Sequence, residues 1–326
     1  MGTIRTQDTY AQGRNSTVFL SLLQNGDSTK PVAQTFMVGG FSATATVVNA
    51  VSGASYVAVV GGTAHTYVAT ATDTVLSIAR RLAALINTGT VARAVNVRQV
   101  TTTAVIQLIR SVTFTLANTG TTTVGDLTVT SAASAGNAAV AGATSIGLGN
   151  TIIGKIAAGQ YLRATQPDGL ERTFRVTANV ESGGTLAVSG VQEAIALGSI
   201  IQFPTELFGR EQSGFVTPNA TSTTRNFNTG GFESPIVIGG SATANLSGDY
   251  SAFDPSILTA KENYRNGTFA LSIVYPSLRA GWTGEERWAP VVLTSNEEPI
   301  DVGGFIKCNF SCQAQADVQT IFSALA

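Results

Sequence analysis

Apolar residues in this chain recur mostly at every second position. Val18, Leu20 and Leu22 alternate with Thr17 and Ser21, and Phe174, Val176, Ala178 and Val180 skip the residues between them. Ile306, Cys308, Phe310 and Cys312 alternate with Lys307, Asn309, Ser311 and Gln313. A period of two places successive side chains on opposite faces of an extended backbone, so each run predicts a half-buried strand. Shorter Val/Thr/Ala runs predict further strands at 32–41, 45–51, 55–60, 65–69, 94–100, 104–109, 112–116, 127–130, 161–164, 185–188 and 199–203. Others are expected at 236–238, 242–250, 268–275 and 286–295. Asn25-Gly26-Asp27, Gly61-Gly62, Pro167-Asp168-Gly169 and Ser182-Gly183-Gly184 supply turns.

Two stretches break the alternation. Val75, Ile78, Ala79, Leu82, Leu85 and Ile86 fall on one face of a helix over 74–87, with Asp73 as the expected N-cap and Gly89 as the stop. Asp254-Pro255 opens a second, shorter helix reaching about Tyr264, and Asn266-Gly267 ends it.

These elements predict a mainly β (α+β) chain in four parts. Residues 1–42 form an N-terminal arm and opening strands, and the polar arm of 1–15 contains Arg5, Tyr10 and Arg14. Residues 43–145 form a βββαβββ module followed by a low-complexity Ala/Gly/Thr/Ser linker from 117, and residues 146–203 a second small β module. Residues 204–326 hold the remaining strands and the short helix, with 209–235 read as a long docking loop carrying Phe215, Phe227 and Phe232.

Charged residues make up 12% of the 326, about half the roughly 25% of ordinary domains, so Thr, Ser, Asn, Gln, Gly and Ala must cover much of the surface. Such a surface loses little solvation when it packs on copies of itself. The formal net charge of −1 excludes a uniformly basic nucleic-acid binder, yet residues 1–210 carry 13 Lys+Arg against 9 Asp+Glu and residues 211–326 carry 6 against 11. Arg80, Arg81, Arg93, Arg98 and Arg110 make the βββαβββ module locally basic.

Catalytic chemistry finds little to use. The two cysteines, Cys308 and Cys312, lie four strand residues or roughly 13 Å apart, so they are expected as buried, reduced thiols. His65 is the single imidazole and sits in a Thr-rich strand. Gly149 to Lys155 matches the start of a phosphate-binding loop, but Ile156 stands where a Ser or Thr hydroxyl is needed. The Glu285-Glu286 and Glu297-Glu298 doublets are expected as solvated hairpin-tip charges. No catalytic residue, cofactor or metal site is therefore expected. With no apolar signal segment or long apolar run, neither secretion nor membrane insertion is expected.

From Ile236 onward the order is a small-residue strand, a short helix at Asp254-Pro255, then Asn266 to Tyr275, Trp288 to Thr294, and Glu297-Glu298-Pro299-Ile300-Asp301-Val302 leading into the final alternating strand. This order resembles the closing half of the tail tube proteins of tailed bacteriophages, and residues 16–42 resemble their opening strands. The resemblance implies an antiparallel β-sandwich or half-barrel with one short helix, which forms a β-barrel ring on oligomerisation. Residues 43–203 would then be inserted modules.

It further implies stacked, hexameric rings in the virion tail, assembled in the host cytoplasm, that conduct DNA as non-specific cargo. Terminator, baseplate or tip, and tape measure proteins would be partners beside the chain itself. Glu297, Glu298 and Asp301 become candidates for an acidic lumen; Arg5, Tyr10, Arg14, Phe215, Phe227 and Phe232 become candidate contacts between rings. The alternative reading is a capsid decoration or other adhesion module, and a hydrolase stands behind both.

Overall fold

The computed structural model describes residues 17–118, 127–134, 138–207, 210–226, 233–249, 253–275, 283–298 and 307–324. In chain order the elements begin with β1 (Thr17–Leu22), β2 (Gln34–Met37), β3 (Phe41–Val47), β4 (Ser55–Val60), β5 (Thr63–Val68) and α1 (Val75–Asn87). Next come β6 (Arg93–Val100), β7 (Thr103–Arg110), β8 (Leu116–Asn118), β9 (Leu127–Ser134), β10 (Ser145–Ile156), β11 (Tyr161–Thr165), β12 (Glu171–Arg175), β13 (Val180–Ala187) and β14 (Ile200–Phe203). The chain continues with β15 (Arg210–Asn226), β16 (Glu233–Asp249), α2 (Pro255–Asn263), β17 (Thr268–Tyr275), β18 (Thr283–Glu297), β19 (Lys307–Ala314) and β20 (Gln319–Ala324). The fold is mainly β with antiparallel ladders. Two compact units result: a terminal unit of Met1–Pro31 and Pro204–Leu325, and a middle unit of Val32–Phe203.

The terminal unit is one open seven-stranded sheet in the order β1-β17-β18-β19-β16-β15, with β20 also beside β18. Register gathers its apolar residues on one face. Leu20 lies opposite Leu271 and Leu271 opposite Ala289, while Leu293 lies opposite Cys312 and Cys312 opposite Ala244; all are buried. Helix α2 packs on β1 through this unit's core, with Ile257 and Ala260 buried. It starts where expected, because the Asp254 carboxylate accepts the Ser256 and Ile257 amides at 2.8 and 3.2 Å and Pro255 needs no amide partner. Beyond its last turn the chain is drawn back at Gly267, whose amide donates to the Asn263 carbonyl at 2.7 Å. A Cβ there would come within 2.8 Å of both that oxygen and Leu22 Cδ1, so only glycine lets the chain turn into β17.

Strand β18 changes partners along its length. One edge pairs with β17 over Glu285–Val292; the other pairs with β20 up to Trp288 and with β19 from Val291. Pro290 sits at this changeover, and its carbonyl accepts the Gln315 amide at 2.8 Å. Because the amide and carbonyl of one strand residue point the same way, the proline's missing N–H faces the gap between β20 and β19, where no ladder bond is lost.

The middle unit has two cores. In the first, the sheet β6-β7-β3-β9 and the sheet β5-β4-β8 surround α1, whose Ile78, Ala79, Leu82 and Ile86 pack with Ala45, Tyr56, Ala58, Ile106 and Leu108. In the second, β12-β11-β14-β2 and β10-β13 enclose Phe36, Ile146, Leu148, Leu162, Val176, Ile201 and Phe203.

Strand β2 is bound by side chains as well as by β14. The Asn96 and Asn150 amides bracket Thr35, accepting the Thr35 and Met37 amides at 2.9 and 3.0 Å and donating to the Thr35 carbonyl at 3.2 and 2.8 Å. Gln34 returns the favour by accepting the Ile153 amide at 2.9 Å. Backbone passes so close at Gly149 that a Cβ there would fall 2.0 Å from the Gly39 carbonyl oxygen.

Several expectations need correcting. The segment 32–41 does not extend the opening strands: β2 pairs with β14 inside the middle unit. The strand expected at 127–130 within the linker stretch does form, as β9, but runs on to Ser134 and pairs with β3, with Leu127 buried in the first core. Most of the expected docking loop, 210–226, is strand β15. Thr74 rather than Asp73 caps α1: its hydroxyl accepts the Ser77 amide at 3.2 Å and Ser77 Oγ accepts the Thr74 amide at 2.9 Å, a reciprocal box. Asp73 is occupied one turn earlier, accepting from the Thr70 amide at 2.8 Å and the Tyr67 hydroxyl at 2.7 Å. Gly149 to Lys155 runs inside β10 as extended chain, without the loop-to-helix geometry that cradles phosphate.

Candidate assembly surface

The sheet of the terminal unit has two unequal margins. At one, β1 is partly covered by the chain entering from the middle unit's end: the Leu207 amide donates to the Val18 carbonyl at 2.8 Å, the Leu20 amide to the Thr205 carbonyl at 3.4 Å, and Phe19 bridges Glu206. At the other, β15 pairs with β16 from Arg210 opposite Gly248 to Asn226 opposite Glu233. Among the described residues no strand pairs with its outer side. Seventeen residues of strand present an edge of roughly 55 Å of unanswered amides and carbonyls.

The hairpin also outruns the sheet behind it. Strand β16 meets β19 only over Thr243–Asp249, so its first part and the facing half of β15 form a two-stranded ribbon among the described residues. Pro218 lies at a register shift between Val216 and Asn219, the position an edge strand tolerates. Beside α2, Phe253 is 79% exposed, the most exposed of the large apolar residues described. Its isolation between residues without periodic pattern gave no sequence signal.

Phe215 lies on β15 opposite Ala244. Arg5, Tyr10, Arg14, Phe227, Phe232 and Asp301 lie outside the described residues. Glu297 is exposed at the end of β18, and Glu298 pairs with Lys261 of α2 at 2.6 Å. The structure therefore separates the two members of that doublet: one carboxylate is answered within the chain and the other faces solvent.

Glu285 and Glu286 are not at a hairpin tip. They stand within β18 between β17 and β20, where Glu286 accepts from Ser272 and pairs with Lys30, and Glu285 pairs with Arg287. The acidic pattern that suggested a tip is a strand interrupted by charge, which Tyr275 and the paired Arg287 accommodate.

Cys308 and Cys312 are free and buried; burial pushes both thiols up to about 12, with Glu298 adding to the effect at Cys308. Thiols held so far from ionisation are poor nucleophiles. Among the described residues no group of three or more His, Cys, Asp or Glu is placed to hold a metal, and no helix is long and apolar enough to cross a membrane.

No protein-family model and no curated protein matches the chain. Among solved structures it is similar to a chain from the tail of an empty gene transfer agent particle of C6 symmetry, at 14% identity over 36% of this chain and 83% of that one, with a TM-score of 0.28. It is also similar to a chain from the virion of a native gene transfer agent particle, at 15% identity over 36% and 85%, with a TM-score of 0.26.

Proposed function

We propose that this chain is a structural subunit of a phage-type tail tube, in which copies close into stacked hexameric rings that conduct DNA. One observation carries the reading: an open sheet with a bare 17-residue edge strand at one margin and only a short, partly covered strand at the other. Unpaired strand edges are normally shortened, charged or covered, and an edge left long and uncharged over Phe215 to Thr224 is suited to a neighbour's strand. The two margins differ, so the contact is head-to-tail and closes a ring when the rotation permits. The charge-poor composition supports the same reading, as does the order of elements from Ile236 onward that resembles tail tube proteins.

Within this reading the 1–15 arm and the aromatic residues of the β15–β16 region contact the next ring, and Glu297 with Asp301 lines the bore, where negative charge keeps DNA phosphates from sticking. The chain's other partners are the proteins that start, measure and end a tail.

Negative-stain microscopy of the purified chain tests the proposal. Rings or hollow tubes are expected, and a Thr221→Lys, Thr223→Lys variant, which charges the bare edge, is expected to form neither while its circular dichroism is unchanged. A wild-type chain that stays monomeric at high concentration rules the reading out.

A further inference from the structure

The two cores of the middle unit handle charge differently. Residues 138–203 carry four basic and four acidic side chains, and Arg163–Glu171 and Arg172–Glu193 pair at 2.6 Å each. Residues 41–134 carry five arginines against Asp73 and Asp126, a net of +3. Asp73 is already committed to Tyr67, Thr70 and Ser77, hydrogen bonds that hold its carboxyl below the usual carboxylate range. None of the five arginines forms an ion pair with a described residue; Arg81 instead stacks over the Tyr67 ring.

Two of these arginines share a concavity. Arg93 on β6 stands opposite Ile109, the neighbour of Arg110 on β7, so the two guanidinium groups come from adjacent strands. Both line an open groove of about 480 Å³ at the end of α1, and no acidic residue lines it among the described residues. Its wall is fixed in place: the Asn87 side chain accepts the Ala94 amide at 2.8 Å and donates to the Ala94 carbonyl at 3.0 Å, and the Gly89 amide donates to Ile86. Two guanidinium groups in a concave site can bind a carboxylate in a two-pronged geometry that surface lysines do not offer.

The complementary charge is in the same polypeptide. The terminal unit holds ten basic and fourteen acidic residues, a net of −4. Most described carboxylates there are engaged, by Lys30, Lys261, Arg287 or the α2 cap among others. Glu297 and Asp317 stand exposed with no bonded partner among the described residues, and Asp317 lies in the turn between β19 and β20. A nucleic acid is the weaker fit, because two guanidinium groups do not neutralise a run of phosphates.

We infer that the Arg93–Arg110 groove receives a carboxylate of a second copy, with Asp317 of that copy as its ligand. This rests on the self-assembly reading above but uses a contact separate from the β15 edge. The Thr221→Lys, Thr223→Lys background therefore isolates it. Sedimentation velocity of that variant is expected to show weak association at 50 mM NaCl that disappears at 500 mM. Adding R93E/R110E is expected to weaken association at least tenfold at 50 mM with an unchanged melting curve. Mixing R93E/R110E with D317R, each in that background, is expected to restore association that neither shows alone. Association of equal strength and equal salt dependence after R93E/R110E overturns the inference, as does failure of the mixed variants to associate. Binding of an oligothymidylate by the wild type that R93E/R110E abolishes reassigns the groove to nucleic acid and overturns it too. In each case the ring reading stands or falls separately, on the micrographs of the unmodified chain.

Discussion

Strand β2 of the middle unit has its backbone met on both sides, and strand β15 of the terminal unit, among the described residues, is met on one. In the middle unit β2 is a four-residue strand whose amides and carbonyls are met by β14 and by the side chains of Asn96 and Asn150. In the terminal unit a strand four times longer is met on one side only among the described residues. A folded chain rarely leaves backbone polar groups without a partner when side chains are available to supply one. The contrast is between a strand whose backbone is completed within the chain and one whose outer edge is left for a partner to complete, as the proposed self-assembly requires.

The comparison can be broken from the self-contained side first. Leu82→Ala empties the centre of the first core and is expected to cost about 2–5 kcal/mol. Hydrogen exchange read by mass spectrometry should quicken over residues 41–118 while the terminal sheet keeps its protection; equal loss of protection in both would mean the units are not separate. Gly149→Ala forces a Cβ onto the Gly39 carbonyl and is expected to cost roughly 2–4 kcal/mol in the second core, seen as a lowered denaturation midpoint. A midpoint within error of wild type would show that the backbone there yields easily.

Asn96→Ala removes both bonds to Thr35 and strands the Gln107 side-chain Oε1 that Asn96 meets at 2.9 Å, for an expected cost of about 1–3 kcal/mol. Its measured value sharpens the comparison, since the same substitution on a strand held by ladder bonds alone has nothing to lose.

The smallest effect at neutral pH belongs to the terminal unit's thiols. Their folded pKa is raised, so the unfolded chain releases these protons first. The stability they contribute is intact below pH 9.0 and is lost as pH climbs from there through about 12. Urea unfolding between pH 8 and 11 should show this decline, and Cys308→Ala, Cys312→Ala should flatten it. A decline unchanged by the double substitution would assign the alkaline sensitivity to other groups.

Legibility in the sequence followed the apolar side chains. Helix α1 was readable because Ile78, Leu82 and Ile86 repeat at helical spacing, and β19 because Cys308, Phe310 and Cys312 alternate. The α2 start was readable from Asp254-Pro255 alone. Strand β15 was not, since Ser, Thr, Asn and Gly give no alternation and Pro218 mimics a loop. The same composition that hides the strand leaves its edge uncharged over Phe215 to Thr224, so the proposed assembly surface is the least legible part of the molecule. Strand β20 gives no signal because its large apolar residues, Ile321 and Phe322, are adjacent rather than alternating, and Glu285-Glu286 reads as a turn although Lys30 and Arg287 answer both carboxylates within β18. Phe253 could be found only once α2 and its surroundings were in place.

Pro290 constrains more than one hydrogen bond. Sliding β18 by two residues along β17 preserves which side chains face inward, so the alternating pattern cannot forbid it. Such a slip carries the pyrrolidine ring beneath β19 or β20, where a donor is required. The imino acid thus serves as a registration mark, choosing one alignment of the sheet from several that hydrophobicity would accept.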